Sequence, residues 1–186
     1  MGLRDILGLS RPAKPNLDAL FALTDAAITL QSSMDLAMTG QGAVCFRGAE
    51  GPAFHSALAD LVELLDNDDD PDLEKSTDSF GFTWLLARQP DMSDLVTDLH
   101  AINTSLELHG FAEGLLCSLV SFRDPAGRTL ALVYLYKQGT FYPFAPAGPQ
   151  RRDNLLEIQV RELLAGDLPI EKDLGRWMAL WGAPGL

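Results

Sequence analysis

Histidine and cysteine are the side chains best suited to catalysis in this chain of 186 residues, which has three histidines and two cysteines. His55 and His100 stand beside apolar residues of predicted helices, and His109 lies at the end of the second of these helices. Cys117 follows within a predicted strand. Nucleophilic catalysis requires a nucleophile beside a base that a third group orients, and this spacing forms no recognisable triad. We therefore expect a protein that is not an enzyme, with an atypical hydrolase as the alternative, because catalytic geometry cannot be read from a sequence.

Metal ligation is the next chemistry to consider. A zinc site needs three or four converging ligands, and no third ligand accompanies His100 and His109. The acidic run at residues 66–72 resembles a calcium loop, but Pro71 takes the place of the essential glycine. Thr77 also stands where such a loop has its bidentate glutamate. The sequence therefore predicts no metal site.

Cofactor binding and redox chemistry are not indicated either. Gly40 and Gly42 are not followed by the Gly-Lys-Ser/Thr sequence of a phosphate-binding loop. Cys45 and Cys117 lie in predicted strands without a CxxC partner, which is typical of buried, reduced thiols. We expect no cofactor.

Charge limits the classes of partner. The formal net charge is −12, from 26 acidic and 14 basic residues. Nucleic-acid binding needs a basic surface, so this class is excluded, and docking on an anionic bilayer is disfavoured for the domain as a whole. The pair Arg151-Arg152 is interpreted as solvated surface charge. No run approaches the ~20 apolar residues of a membrane-spanning helix, so we expect a cytoplasmic protein.

A β-hairpin at residues 114–146 is the element around which the rest must pack. Two apolar runs flank the turn sequence Asp-Pro-Ala-Gly at residues 124–127, and a third short strand follows at 140–144. Alternation in the second strand divides apolar side chains between both faces, since Ala131 and Val133 oppose Leu132 and Tyr134. We therefore expect helices or a partner to cover both faces, at least in part.

The other elements follow from apolar spacing and capping residues. Helices are predicted from residue 52 to the acidic run, from residue 91 or 93 to 110, and at 154–165, with a short one at 17–23. Strands are predicted at 27–31, 43–47 and 80–88, with a turn at 39–42 before the second of them. This order indicates an α+β fold with a mainly antiparallel sheet and helices packed mostly on one face. Small domains of secretion chaperones and YbjN-like regulators are the analogue.

The chain is expected to form one domain, residues 1–186, with three distinct segments. These are an N-terminal appendage at 1–15, an acidic mobile linker at 66–79 and a tryptophan-containing C-terminal segment at 169–186. In the last, Leu174, Trp177, Met178 and Trp181 share one side of a predicted short helix. The segment either packs back onto the sheet or presents its tryptophans to a partner or a membrane interface.

Four stretches carry a resemblance to a known family: PNLDALFAL at 15–23, GAVCF at 42–46, DSFGFTW at 78–84 and RWMALWGAP at 176–184. Together they resemble the PspA-associated PspAB proteins, which are linked with the phage-shock envelope-stress system. The resemblance implies a non-enzymatic, cytoplasmic accessory protein that works with membrane-stress machinery, at the inner face of the membrane. Its implied partner is PspA or a membrane metalloprotease of the HtpX type. The family offers no agreed catalytic residues, so none is transferred.

Two modes of action follow. An adaptor would bind its protein partner through an exposed sheet face or through Trp177, Met178 and Trp181. A chaperone-like module would instead bind apolar client segments in a groove formed by aromatic residues of the central strands, namely Tyr134, Tyr136, Phe141 and Tyr142. Folds of this type commonly dimerise, so a homodimer is also expected.

Overall fold

The computed structural model describes residues 15–48, 51–65 and 73–186, which form a six-stranded sheet and four α-helices. The strands are β1 (Ala37–Arg47), β2 (Glu74–Thr77), β3 (Phe82–Arg88), β4 (Leu115–Arg123), β5 (Thr129–Leu135) and β6 (Thr140–Phe144). The helices are α1 (Leu23–Met34), α2 (Pro52–Leu65), α3 (Met92–Leu108) and α4 (Asn154–Leu164). Short 3-10 turns lie at Leu17–Ala22, Ala112–Gly114 and Leu174–Arg176.

The sheet has the strand order β2-β3-β1-β4-β5-β6, and each strand is antiparallel to its neighbours in this order. The hairpin of β4 and β5 lies near its middle, and Asp124 closes the turn by accepting hydrogen bonds from the backbone N–H (2.8 Å) and Nε (2.6 Å) of Arg128. The predicted α+β fold with a mainly antiparallel sheet is therefore confirmed.

All four helices pack on one face of the sheet. Helix α3 shows why: its buried apolar residues Leu95, Leu99, Ile102 and Leu106 recur every three or four positions. The Asp91 carboxylate caps the first turn by accepting a hydrogen bond from the Ser93 N–H at 2.7 Å. The helix-side core contains Leu132 and Tyr134, whereas Ala131 and Val133 belong to a second cluster on the opposite face. Both faces of β5 are thus apolar and covered, as the alternation predicts.

Two predictions near the N-terminus are wrong. Residues 27–31, predicted as a strand, lie in α1, because Leu23, Ala26 and Leu30 form a buried helical stripe that overrides the β-branched Ile28 and Thr29. Residues 39–42, predicted as a turn, belong to β1.

An irregularity inside β1 explains the second error. The register with β4 shifts between Met38 and Gly42, so the glycines mark a bulge in a continuous strand. Gly40 has φ +77°, and its carbonyl accepts the Gln89 N–H at 2.9 Å, which keeps β1 joined to the end of β3.

The predicted segments also differ from the structure in part. Residues 74–77 of the predicted linker form β2, which pairs with β3. The acidic run at 66–72 and the predicted appendage, apart from Pro15, lie outside the described residues. The C-terminal segment has only the 3-10 turn Leu174–Arg176 in place of the predicted helix, and an irregular path beyond it.

Replacing Gly40 by Ala tests the bulge. An added Cβ would lie 2.9 Å from the Gln89 carbonyl oxygen. Gly127 is the matched control, since its φ is +84° and an added Cβ there meets no atom within 4 Å. Gly127→Ala should cost about 1–2 kcal/mol from its backbone conformation. Gly40→Ala should cost about 1–3 kcal/mol more, from the clash. Equal urea-unfolding free energies for both variants would contradict this account.

Candidate functional site

The aromatic residues of the predicted client groove do not form a groove. Tyr134, Tyr136 and Phe141 are buried in the helix-side core, and Tyr142 is buried on the opposite face. The Tyr134 hydroxyl donates to the Asn16 carbonyl at 2.8 Å, and the Tyr136 hydroxyl donates to the Glu107 carboxylate of α3. No open groove forms here, because the helices cover one face of these strands and the C-terminal segment covers the other.

The C-terminal segment covers the face of the sheet opposite the helices. Trp177 stacks on Tyr142 of β6, with ring centroids 5.9 Å apart and planes 23° from parallel. Trp181 meets Phe144 edge-on at 5.0 Å. Further along, an added Cβ on Gly185 would lie 3.3 Å from the Leu86 side chain of β3. The segment thus crosses the sheet from β6 to β3, which agrees with the first alternative for it, packing back onto the sheet.

Three hydrogen bonds fix the first half of this segment. The Trp177 indole N–H donates to the Glu171 carbonyl at 3.1 Å. Arg152 Nη1 donates to the Trp177 carbonyl at 2.7 Å, and the Tyr142 hydroxyl donates to the Met178 carbonyl at 2.9 Å. Trp177 is 9% exposed. It is therefore an anchor of the fold, with its side chain buried against the sheet.

Arg152 joins this segment to α4 through a buried ion pair. Its Nε lies 2.8 Å from Glu157 Oε1, with side-chain exposures of 20% and 4%. The same carboxylate oxygen accepts the Ala145 N–H at 2.9 Å, and the guanidinium lies over the Phe144 ring, 5.1 Å from its centroid. The interpretation of Arg152 as solvated surface charge is wrong, because this arginine crosses the end of β6 to neutralise a buried carboxylate.

Glu171 holds the segment to the edge of β6. Main-chain bonds run from the Phe141 N–H to the Pro169 carbonyl and from the Glu171 N–H to the Phe141 carbonyl, at 2.8 and 2.7 Å. The Glu171 carboxylate accepts the Asp173 N–H (2.9 Å) and the Thr140 hydroxyl (2.8 Å). Burial alone would raise the pKa of Glu171, but these donors and nearby Arg176 hold it below the ordinary 4.5.

Three apolar side chains of the segment stay in solvent. Leu174 and Met178 are each 61% exposed, and Trp181 is 38% exposed. We call these three residues the C-terminal ridge. Met178 and Trp181 are therefore the predicted contact residues that the structure leaves accessible, and Leu174 joins them.

His55 lies on α2, His100 lies on α3, and His109 lies at the end of α3. The Nδ1 atoms of His55 and His109 lie 2.8 and 2.7 Å from the carbonyl oxygens of Gly51 and Ser105, four residues before each in the chain. His100 lies 3.3 Å from Asp18. Within the described ranges, no group of three or more metal-binding side chains comes together.

The two cysteines are buried free thiols, as predicted. Cys45 and Cys117 are cross-strand partners on β1 and β4, in the cluster opposite the helices. The hydrogen bond to Cys117, together with burial, raises the pKa of Cys45 far above its ordinary value. A thiol with a raised pKa is a poor nucleophile, because the thiolate is the reactive form.

Crossing a bilayer with a helix requires a long and continuously apolar segment. Among the residues that the structure describes, no helix combines that length with that apolar character.

Removing the Arg152 guanidinium tests the ion pair. Arg152→Met should cost about 3–5 kcal/mol of unfolding free energy, because it leaves the Glu157 carboxylate buried without its counter-charge. Arg151→Met is the matched control, since the exposed Arg151 side chain donates to the nearby Ala147 carbonyl. The double variant Arg152→Met/Glu157→Gln should recover part of the loss. Equal urea midpoints for the two arginine variants would contradict this role.

Acidification should release the C-terminal segment. The lowered pKa of Glu171 means that its carboxylate stabilises the fold above pH 4.5 and loses this effect as pH falls through the lower folded-state pKa. The urea midpoint should therefore fall as pH drops below about 4.5. Glu171→Gln should lower the midpoint at pH 7 and reduce its change with pH. If the Glu171→Gln protein keeps the full acid dependence, other carboxylates cause it.

Comparisons with known proteins agree with the family resemblance. No curated protein and no solved structure matches the chain significantly. Residues 1–185 match the family described as PspAB, PspA associated protein B. The match extends over nearly the whole sequence, and the chain therefore belongs to the PspAB family.

Proposed function

We propose that this chain is a non-enzymatic adaptor of the phage-shock type of membrane stress response, which binds a PspA protein through its C-terminal ridge. The description of the family as PspA-associated supports an accessory role and suggests the partner. The observation that supports the choice of surface is the exposure of Leu174, Met178 and Trp181, the first two of which lie on the hydrogen-bonded part of the segment.

The ridge has the properties of a protein-binding surface. Exposed apolar and aromatic side chains provide most of the binding energy in many interfaces, and a fixed backbone lowers the entropy lost on binding. Here the Arg152 bond to Trp177 and the Tyr142 bond to Met178 fix the backbone between two ridge residues.

The proposed place of action is the cytoplasm, at the inner face of the membrane, where an envelope-stress partner would be met. The partner supplies the membrane contact, since a chain of net charge −12 is repelled by anionic lipid. A membrane protease of the HtpX type is the second candidate partner.

Charge substitutions on the ridge test this proposal. Met178→Asp and Leu174→Asp should each weaken binding to purified PspA by about tenfold or more, because each places a carboxylate in an apolar contact. The thermal midpoint should hardly change, since both side chains are exposed. Calorimetry with PspA, and separately with an HtpX-type protease, measures the affinities.

Leu108→Asp is the matched control. Leu108 is 81% exposed at the end of α3, on the helix side of the sheet. This variant should bind like the unmodified chain. Ridge variants that keep full affinity for both partners would remove the ridge as the contact surface, and an unmodified chain that binds neither protein would refute the proposed function.

A further inference from the structure

We propose that residues 179–186 are a displaceable cover over an apolar binding stripe of the sheet. In our proposal the stripe accepts an uncharged, aromatic-containing segment of the protein partner in place of the cover. The identity of that partner rests on the proposed function, whereas the existence of the stripe and of its cover does not.

The stripe is one row of residues that crosses five strands. Its members are directly opposed in register from β6 to β3: Tyr142, Val133, Leu119, Ala43 and Leu86. All five are buried, and all belong to the cluster on the face opposite the helices. Trp177 stays stacked on Tyr142 at one end, so the part of the row under the cover runs from Val133 to Leu86. Its three strand spacings span about 14 Å, enough for a short peptide segment to lie across it.

The hydrogen bonds that hold the C-terminal segment end at Met178. Beyond that residue, the two main-chain bonds are both local, from the Ala183 N–H to the Leu180 carbonyl and from the Leu186 N–H to the Ala183 carbonyl. Within the part of the chain that the structure describes, no hydrogen bond joins residues 179–186 to the sheet. The cover is therefore held by apolar contact, and Met178 and Ala179 mark the boundary between the anchored and the unanchored part.

The contacts of the cover are apolar, and Leu180 and Leu186 pack against the cluster on this face. Trp181 touches Phe144 edge-on, and Ala183 is 6% exposed. A cavity of about 370 Å³ separates the Trp181 region of the cover from the loop at residues 146–150. A segment that no hydrogen bond ties to the body opens at a lower free-energy cost than hydrogen-bonded strands do, so the cover is the part of this face that can lift while the sheet stays folded.

The chemistry of the cover defines the chemistry of its replacement. Residues 177–186 contain no charged side chain, in a protein with 26 acidic and 14 basic ones. A charged segment on the stripe would be buried without a counter-charge, which is strongly unfavourable. The occupant is therefore an apolar segment with an aromatic residue to take the place of Trp181 against Phe144.

Ala183→Asp lifts the cover in a direct test, because it places a carboxylate at a buried position above the sheet. Ala179→Asp is the matched control, since it makes the same change at an exposed position of the same segment. The probe is a dye-labelled synthetic peptide with the sequence of residues 177–186, and fluorescence anisotropy measures its binding to each full-length protein.

The peptide should bind the Ala183→Asp protein at least about tenfold more tightly than the unmodified or Ala179→Asp protein, because the unmodified stripe is already occupied. Equal or absent binding to all three folded proteins would overturn the proposal. If circular dichroism shows that Ala183→Asp does not fold, Trp181→Ala replaces it in the same assay. Failure of both variants to fold would show that the cover is an integral part of the core, which also overturns the proposal.

A second binding experiment, with purified PspA, tests whether a PspA segment is the natural occupant of the stripe. It should bind the Ala183→Asp protein about tenfold more tightly than the control, since the cover no longer competes. Binding that is unchanged or weaker would refute the claim that a PspA segment occupies the stripe. PspA that binds none of the proteins would count against the proposed function, while the peptide result would still decide whether the cover can be displaced.

Discussion

A sheet that is apolar on both faces is the constraint on which this structure depends. Leu132 and Tyr134 point to one side of β5, and Ala131 and Val133 point to the other, so neither side can face water. All four helices are used on the first side. The second side is covered by an irregular C-terminal segment, which must stay in place without a regular hydrogen-bonding pattern of its own. The ion pair of Arg152 and the carboxylate of Glu171 compensate for that lack.

These two charged anchors act differently. Arg152 and Glu157 form a pair that is mostly removed from water, and such a pair contributes little net stability but is costly to break. Its effect is to specify where the segment lies, because the guanidinium also donates to the Trp177 carbonyl. Glu171 collects its donors from β6 and from its own turn, so it fixes the start of the segment at the sheet edge. Glu171 fixes the chain before Leu174, and Arg152 and Tyr142 fix it at Trp177 and Met178. Leu174 and Met178 are therefore exposed in one orientation.

Local patterns in the sequence predict most of the regular elements. The central hairpin has a clear turn signal, and α3 has both a cap and a stripe, so each is specified by residues close in the chain. The wrong predictions concern positions whose structure is determined by residues distant in the sequence. Ile28 and Thr29 favour a strand in isolation, and only the packing of Leu30 in the core explains the helix. Arg152 could not be assigned from sequence because its partners come from α4, β6 and the C-terminal segment. The four aromatic residues of the central strands indicated a groove for the same reason, since their covering segments are remote in sequence.

The cover must be held tightly enough to stabilise the fold and loosely enough to be displaced by a partner segment. A tightly held cover stabilises the fold but lowers the apparent affinity of any segment that must displace it, because only the open fraction of molecules can bind. A loosely held cover exposes an apolar stripe and invites self-association, which the net charge of −12 counteracts. Ending the hydrogen bonds at Met178 satisfies both demands, since the ridge residues Leu174 and Met178 stay fixed while the residues after them depend on apolar contact alone. In the proposed binding mode, affinity for a partner and stability of the fold are then adjusted by different residues of one segment.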